Sequence, residues 1–451
     1  MPLSIRHCLT SRKTVLGLML LLLFVVVLSC FIPQQFNTPP RQFVMWQQAH
    51  PGWLPVVELL GLHRLFTTPW FVLLLLLFLL SLAVATVEQF RLARRKTFGS
   101  GCRPPVHSRE GEQGALFPRL AVSEPLLITE LLRAGYFRVA GNEGGLRFVK
   151  HPWGYWGNFF LHLGILITIA SSLVIATTGK RGTIRVVAGE TVSAPFPWQY
   201  EEHGLFADPL RLDEAIRLDR VTPEFWPQGG LKNITNEVHF INTASGQAAG
   251  RTIALTPILS YQGLRMYQGD NFGNAFYVKL TDAAGQQGTM VLDIPSPVDK
   301  EKASYGNFDF EEIPYRIKAK YYADADRKAL VSDNPLLVLR LVDQERNTVL
   351  GELPLRQGEF GRLGAYEARL LTVKRWTEFI VLDIKGMPGV FVGFFVIILG
   401  STLNYFTIPR EIHCQKGGRG FTCTWQGSRF THLYRDEGHG IFARLQRHEI
   451  P

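Results

Sequence analysis

Four stretches of the chain, residues 15–32, 70–87, 156–176 and 389–406, are apolar at nearly every position and hold no Asp, Glu, Lys or Arg. An amphipathic helix or a half-buried strand interrupts its apolar residues with polar ones every few positions. A bilayer core instead asks for roughly 20 residues of unbroken apolar character. The pattern therefore predicts four transmembrane helices rather than buried core helices. Between the third and fourth the pattern changes to short alternating runs, GTIRVVAGETV, EVHFIN, GLRMYQ, NAFYVKL, YRIKAKYY and LLVLRLVDQERNTVLGELPL, divided by Asn, Gly, Asp and Pro clusters. Period-two alternation between turn residues predicts strands. The expected fold class is a membrane protein with four transmembrane α-helices and a large β-rich domain, a sandwich or distorted barrel, between helices 3 and 4.

The divisions that follow are 1–88 for the first two helices and a short loop, 89–152 for a second soluble segment, 153–178 for the third helix, 179–387 for the β-rich domain, 388–407 for the fourth helix and 408–451 for a tail. In the short loop, HPGWLPVVELLGLHRLF is expected to form an interfacial helix anchored by Trp53 and Phe66 and broken by Pro55. The segment 89–152 opens with basic residues and a Gly- and Pro-rich linker, GSGCRPPVHSREGEQG. A helix capped by Ser123 and a small hairpin follow, read as an accessory element. The tail holds two strand-like pieces and a basic helix, expected as a flap on the membrane.

A formal net charge of +10 invites a nucleic-acid reading, but the basic residues flank the apolar runs. Arg6, Arg12 and Lys13 precede the first, Arg91, Arg94, Arg95 and Lys96 follow the second, Arg147 and Lys150 precede the third, and Arg410, Lys416 and Arg419 follow the fourth. This is the distribution of a positive-inside topology with both termini and 89–152 cytoplasmic, and it excludes nucleic acid as the partner. The first run is too long for a cleaved signal and lacks a small-residue cleavage site, so it is expected to be retained. The β-rich segment, placed outside, has no cysteine. Cys414 and Cys423 fall on the inner side without a second pair and are expected as free thiols. With no C-x-x-C, the chain is neither a thioredoxin-like reductant nor a c-type cytochrome.

The chemistry-bearing residue in a span is His162, in the first half of WGYWGNFFLHLGILITIASSLVIATT. An imidazole at that depth must be paired, shielded or used. It either ligates a metal centre or hydrogen-bonds to a neighbouring helix. On a regular helix Phe159, Leu166 and Ile169 share its face, and Gly164 permits close approach of a helix or of a macrocycle. Trp153, Tyr155 and Trp156 fit a headgroup belt. His50, His63, His203 and His239 are weaker candidates, and Asp383 fits a helix cap as well as a ligand. No nucleophile elbow, phosphate loop or H-E-x-x-H occurs, so no catalytic residue is assigned.

Six strings, in order, resemble the ResB or CcsB family of cytochrome c biogenesis proteins: LTSRKTVLGLMLLLLFVVVLSCFIPQ, GLHRLFTTPWFVLLLLLFLLSL, NFFLHLGILITIASSLV, TGKRGTIRVVAGETV, TPILSYQGLRMYQGDNFG with Tyr267 and Gln268, and DIKGMPGVFVGFFVIILGSTLNYF. The linker matches nothing in that pattern and the tail only loosely. The resemblance implies work at the bacterial cytoplasmic (inner) membrane, attaching haem b to an apocytochrome c bearing C-x-x-C-H outside it. It implies a complex with a multi-span ResC or CcsA-type protein that carries a Trp-rich haem motif absent here. The chain alone is then expected to be inactive as a haem ligase. His162 matches the family's third-helix histidine and is the expected haem iron ligand, with Phe159, Leu166 and Gly164 beside it and a second ligand from elsewhere. Thioether formation needs reactants held together more than a protein nucleophile. The alternative is a scaffold that only captures apocytochrome c. A transporter or a b-type cytochrome fits less well, with no repeat and one intramembrane histidine.

Overall fold

A computed structural model of the chain describes residues 11–34, 38, 40–99, 118–139, 145–227, 229–310, 315–343, 348–418 and 420–447. Cys8, Cys102, Arg6, Arg419 and the linker beyond Gly99 lie outside them. The chain divides into two compact units, one of Met1–Thr177 with Lys385–Pro451 and one of Thr178–Ile384.

The first unit holds α1 (Arg12–Phe31), α2 (Pro40–Ala49), α3 (Leu54–Leu60), a 3-10 turn (Leu62–Thr67) and α4 (Pro69–Phe98). Next come β1 (Arg119–Leu120), α5 (Glu124–Arg133), β2 (Phe137–Val139), β3 (Gly145–Lys150), a 3-10 turn (Pro152–Trp156) and α6 (Gly157–Thr178). Among the described residues four helices are long and apolar enough to cross a membrane: Lys13–Phe31, Pro69–Phe98, Pro152–Thr178 and Met387–Phe406. Pro55 does not break the interfacial segment. It sits in the first turn of α3, where its missing N–H removes no helical bond, and so it starts the helix. Val57, Leu62 and Leu65 then bury against Val25 and Ile32 of the α1 end and Phe71 of α4. Gln34 fastens the same corner, its Nε2 donating to the Leu62 carbonyl at 3.0 Å.

Among its described residues the regular elements of the second unit after α6 are all strands: β4 (Lys180–Val187), β5 (Thr191–Val192), β6 (Trp198–His203), β7 (Glu214–Phe225), β8 (Leu231–Asn242), β9 (Ala248–Ala254), β10 (Leu259–Tyr261), β11 (Leu264–Thr281), β12 (Gln287–Pro295), β13 (Ser304–Phe308), β14 (Arg316–Tyr322), β15 (Leu336–Asp343), β16 (Thr348–Leu355), β17 (Phe360–Leu363) and β18 (Tyr366–Asp383). Its organising pair is β11 with β18, 18 residues each and antiparallel along their length. At ~3.3 Å per residue such a strand spans about 60 Å, too long for one sandwich core to cover. Two cores form instead. The first half of β11, with β18, β4 and β6, faces the β5-β7-β8-β9 sheet around Ile184, Ile216, Phe240, Met266 and Phe379. The second half, with β12 and β17, faces the β13-β14-β15-β16 sheet around Phe276, Leu292, Ile317, Leu339 and Leu370. All the sheets are open, so the β-rich region is a pair of sandwiches and not a barrel.

Between the two cores β11 bulges after Gln268. Gln268 is buried, and its Oε1 accepts from Asn236 Nδ2 at 2.7 Å and Thr377 Oγ1 at 2.8 Å. Tyr267 and Gln268 of the family-like string lie within a long strand, and Gln268 ties three strands together.

The chain returns to the first unit through α7 (Met387–Phe406), β19 (Arg410–Gly417), β20 (Gly420–Gly427) and α8 (Arg435–Gln446). Described strands of the segment 89–152 and of the tail, read from sequence as separate pieces, form one sheet of order β1-β20-β19-β3-β2. Helices α5 and α8 supply Leu127, Leu131, Phe442 and Leu445 to its core, around Phe148 and Trp425. The tail is therefore half of a domain rather than a flap. Cys414 and Cys423 are also corrected: they stand opposite each other in the β19–β20 register and are disulfide-bonded. Separation along the sequence hid a pairing that the hairpin brings to 4.1 Å between Cα atoms.

Candidate functional site

The site is built where α6 leaves the five-stranded sheet. His151, with φ of 58°, turns the chain from β3 into the Pro152–Trp156 turn, and α6 begins at Gly157. Charged side chains fasten this corner. Glu411 of β19 accepts from Arg147 Nε at 3.0 Å, from His413 Nε2 at 2.9 Å and from the Tyr155 hydroxyl. Burial alone would raise the Glu411 carboxyl, but the His413 hydrogen bond, the Arg147 charge and the Tyr155 hydroxyl hold it down at about 2. Glu437 similarly gathers Lys150, at 2.8 Å, and Arg410.

Two helices flank α6. On one side Trp156 and Phe159 pack on Phe90 of α4, at 5.7 and 5.3 Å between ring centroids, and Trp156 Nε1 donates to Thr97 Oγ1 at 3.1 Å. On the other side α7 runs antiparallel against small residues. A Cβ on Gly157 would meet Asn404, one on Gly164 would meet Ile397 and Gly393, and one on Gly389 would meet Ser171, all within 3 Å. Such close approach is how helices pack in lipid, where no hydrophobic force drives them together.

His162 lies between these contacts, half-buried. Its Nδ1 hydrogen-bonds the Asn158 carbonyl at 2.8 Å. A carbonyl only accepts, so Nδ1 carries the proton, and in the neutral ring the Nε2 lone pair is left for another partner. The same arrangement orients a metal-binding imidazole and sets its tautomer. Asn158 is itself held, its Oδ1 accepting from Asn404 Nδ2 at 3.1 Å and from Arg429 at 2.9 Å.

At about 100° per residue Phe159 and Leu166 sit roughly 60° and 40° around the helix from His162, whereas Gly164 sits about 160° away. The structure gives Gly164 to the α7 crossing. Phe159 remains beside His162, with one flank on Phe90 of α4. Trp153 is exposed, while Tyr155 and Trp156 turn inward to Glu411 and Thr97. Among the other histidines, His50 bonds the Trp46 carbonyl at 3.0 Å, His63 packs on Phe43, and His239 pairs with Asp219. Asp383 is a strand residue opposite Lys180, and Gly386 occupies the N-cap of α7. Among the described residues no group of three or more His, Cys, Asp or Glu stands close enough to hold a metal ion.

A polar cluster that sequence reasoning missed lies on the second unit. Arg185 stacks on Trp376 at 4.2 Å and reaches Asp293 and Glu378 at 3.1 and 3.3 Å, and Asn271 donates to Glu378 at 2.8 Å. The GDNFG string after Gln268, which forms the bulge, was its only local signal.

The sequence profile of the ResB-like family matches residues 12–370. A protein of Gloeobacter violaceus called cytochrome c biogenesis protein CcsB is 24% identical over 437 residues, covering 90% of this chain and 84% of its own length. Proteins of the same name from Trichormus variabilis and Crocosphaera subtropica are 22% identical over 417 residues and 26% over 220, covering 91% and 48% of this chain and 86% and 47% of theirs.

Proposed function

The chain belongs to the ResB-like family, and from that premise we propose that it is a membrane subunit of cytochrome c maturation that holds haem for covalent attachment to apocytochrome c. Relatives called cytochrome c biogenesis proteins support the role. His162 is the residue assigned to iron. The observation that carries this assignment is the Asn158 carbonyl on Nδ1, which leaves Nε2 as the open nitrogen of a half-buried imidazole in a membrane helix. Haem is the substrate here, and a neutral imidazole suits its iron.

This chain's own residues then do three things. Asn158 fixes the imidazole tautomer, the α7 crossing and the Phe90–Trp156 contacts hold α6 still, and Phe159 and Leu166 offer apolar surface beside the ligand. Bond formation between vinyl and thiol follows from holding haem and the C-x-x-C-H segment together. A second axial ligand and the remaining haem contacts fall to a multi-span ResC or CcsA-type partner. The positive-inside pattern supports a cytoplasmic five-stranded domain and paired sandwiches outside the inner membrane.

The test is an absorption spectrum of the chain co-purified with its multi-span partner. Haem bands that weaken with His162→Ala, together with lower holocytochrome yield, support the reading. Unchanged spectra and yield would leave a scaffold that captures apocytochrome c.

A further inference from the structure

The second unit carries an apolar turn whose exposure the fold enforces. In GLFADPLRLD, Leu210 and Leu212 are core residues, yet Phe206 is 77% and Leu205 44% exposed. The turn is pinned rather than loose. Gly204 N donates to the Gly179 carbonyl at 2.8 Å, Ala207 N to Gly204 at 3.0 Å, and Leu210 N to the Glu201 carboxylate at 2.6 Å. A phenyl ring held in water forfeits the ~2 kcal/mol or more that its burial would return, so a surface that covers it is favoured.

The chain's own connectivity says what does. Gly179 directly follows Thr178, the last residue of α6. The 204–207 turn is hydrogen-bonded to that residue, so it is tied to the first residue after a membrane-spanning helix. The same row of the sheet runs from His203 through Lys180 to Asp383, which lies four positions before α7. Beside the turn is a cleft of about 270 Å³ lined by Lys180, Arg211, Asp208, Asp383, Leu210 and Leu264. Two cations and two carboxylates around so small a space match a group that carries both charges.

We propose that Leu205 and Phe206 insert into the bilayer interface and that the adjacent cleft takes the headgroup of a zwitterionic phospholipid. The phosphate faces Lys180 and Arg211, and the amine faces Asp208 and Asp383. Aromatic and aliphatic side chains at this depth are stabilised at the headgroup boundary, and cation–phosphate and carboxylate–amine pairs are strengthened where water is scarce.

The test uses the full chain in nanodiscs of phosphatidylethanolamine and phosphatidylglycerol, with photoreactive benzoylphenylalanine in place of Phe206 and, as control, of Phe360, which is exposed far along the unit. The expected result is a phospholipid adduct in the mass spectrum from position 206 and none from 360. Crosslinks from 206 only to protein, or none, overturn the anchor. For the cleft, D208N combined with R211Q is expected to lose the phosphatidylethanolamine retained in native mass spectra while adduct formation at 206 persists. Equal retention, or equal binding of phosphatidylglycerol by the unsubstituted chain, overturns the headgroup assignment.

Discussion

Gly164 and Gly393 face each other across the α6–α7 crossing so closely that a Cβ on either would come within 2.9 Å of the other's carbonyl oxygen. The contact is backbone on backbone, so no side-chain rotation relieves it. Gly164→Val or Gly393→Val is expected to separate the helices at a cost of roughly 1–3 kcal/mol. Lower melting temperature and lower yield in detergent would register it, whereas the nearby Ile169→Val should change neither.

The bond from His162 to Asn158 makes a chemical prediction. His162→Gly removes the ligand and little else, since the ring's one hydrogen bond among the described residues goes to its own helix. Haem in the co-purified complex should fall, and added imidazole should restore both the spectrum and the holocytochrome yield. Failure of rescue with an intact fold would count against iron ligation.

Glu411 predicts a pH dependence. Its folded carboxyl, at about 2, lies below its ordinary 4.5, so the folded state binds fewer protons. The stability this contributes is complete above about pH 4.5 and lost as pH falls toward 2. Melting by circular dichroism between about pH 6 and pH 3 should fall over that window. Glu411→Gln should flatten the curve there and lower melting at neutral pH, because buried Arg147 loses its counter-charge.

Gln268 predicts a cost inside the second unit. Gln268→Leu keeps volume but leaves the Asn236 amide short of its Oε1 acceptor and strips Thr377 Oγ1 of its partner. About 1–3 kcal/mol should be lost for each buried group left unsatisfied. Denaturant unfolding followed by Trp fluorescence measures the loss, and exposed Gln247→Leu is the control.

What the sequence alone determined is what short range encodes. A run of apolar residues answers to a bilayer whatever surrounds it, so four spans were legible, and period-two alternation marked the strands between the third and fourth. His162 stood out because an imidazole in such a run is conspicuous without any partner in view. The tertiary structure decided the pairings. β3 and β19 bring Arg147 to Glu411 from 264 positions away, so one domain looked like two fragments. Cys414 found Cys423 only through the hairpin register. Gly164 could have met a macrocycle or a helix until α7 occupied its face. The role of Gln268 was not legible because the length of β11, and the two cores it joins, depend on strands that close around it from elsewhere in the chain. Local periodicity reports which face of a segment must be buried, and only the assembled chain reports against what.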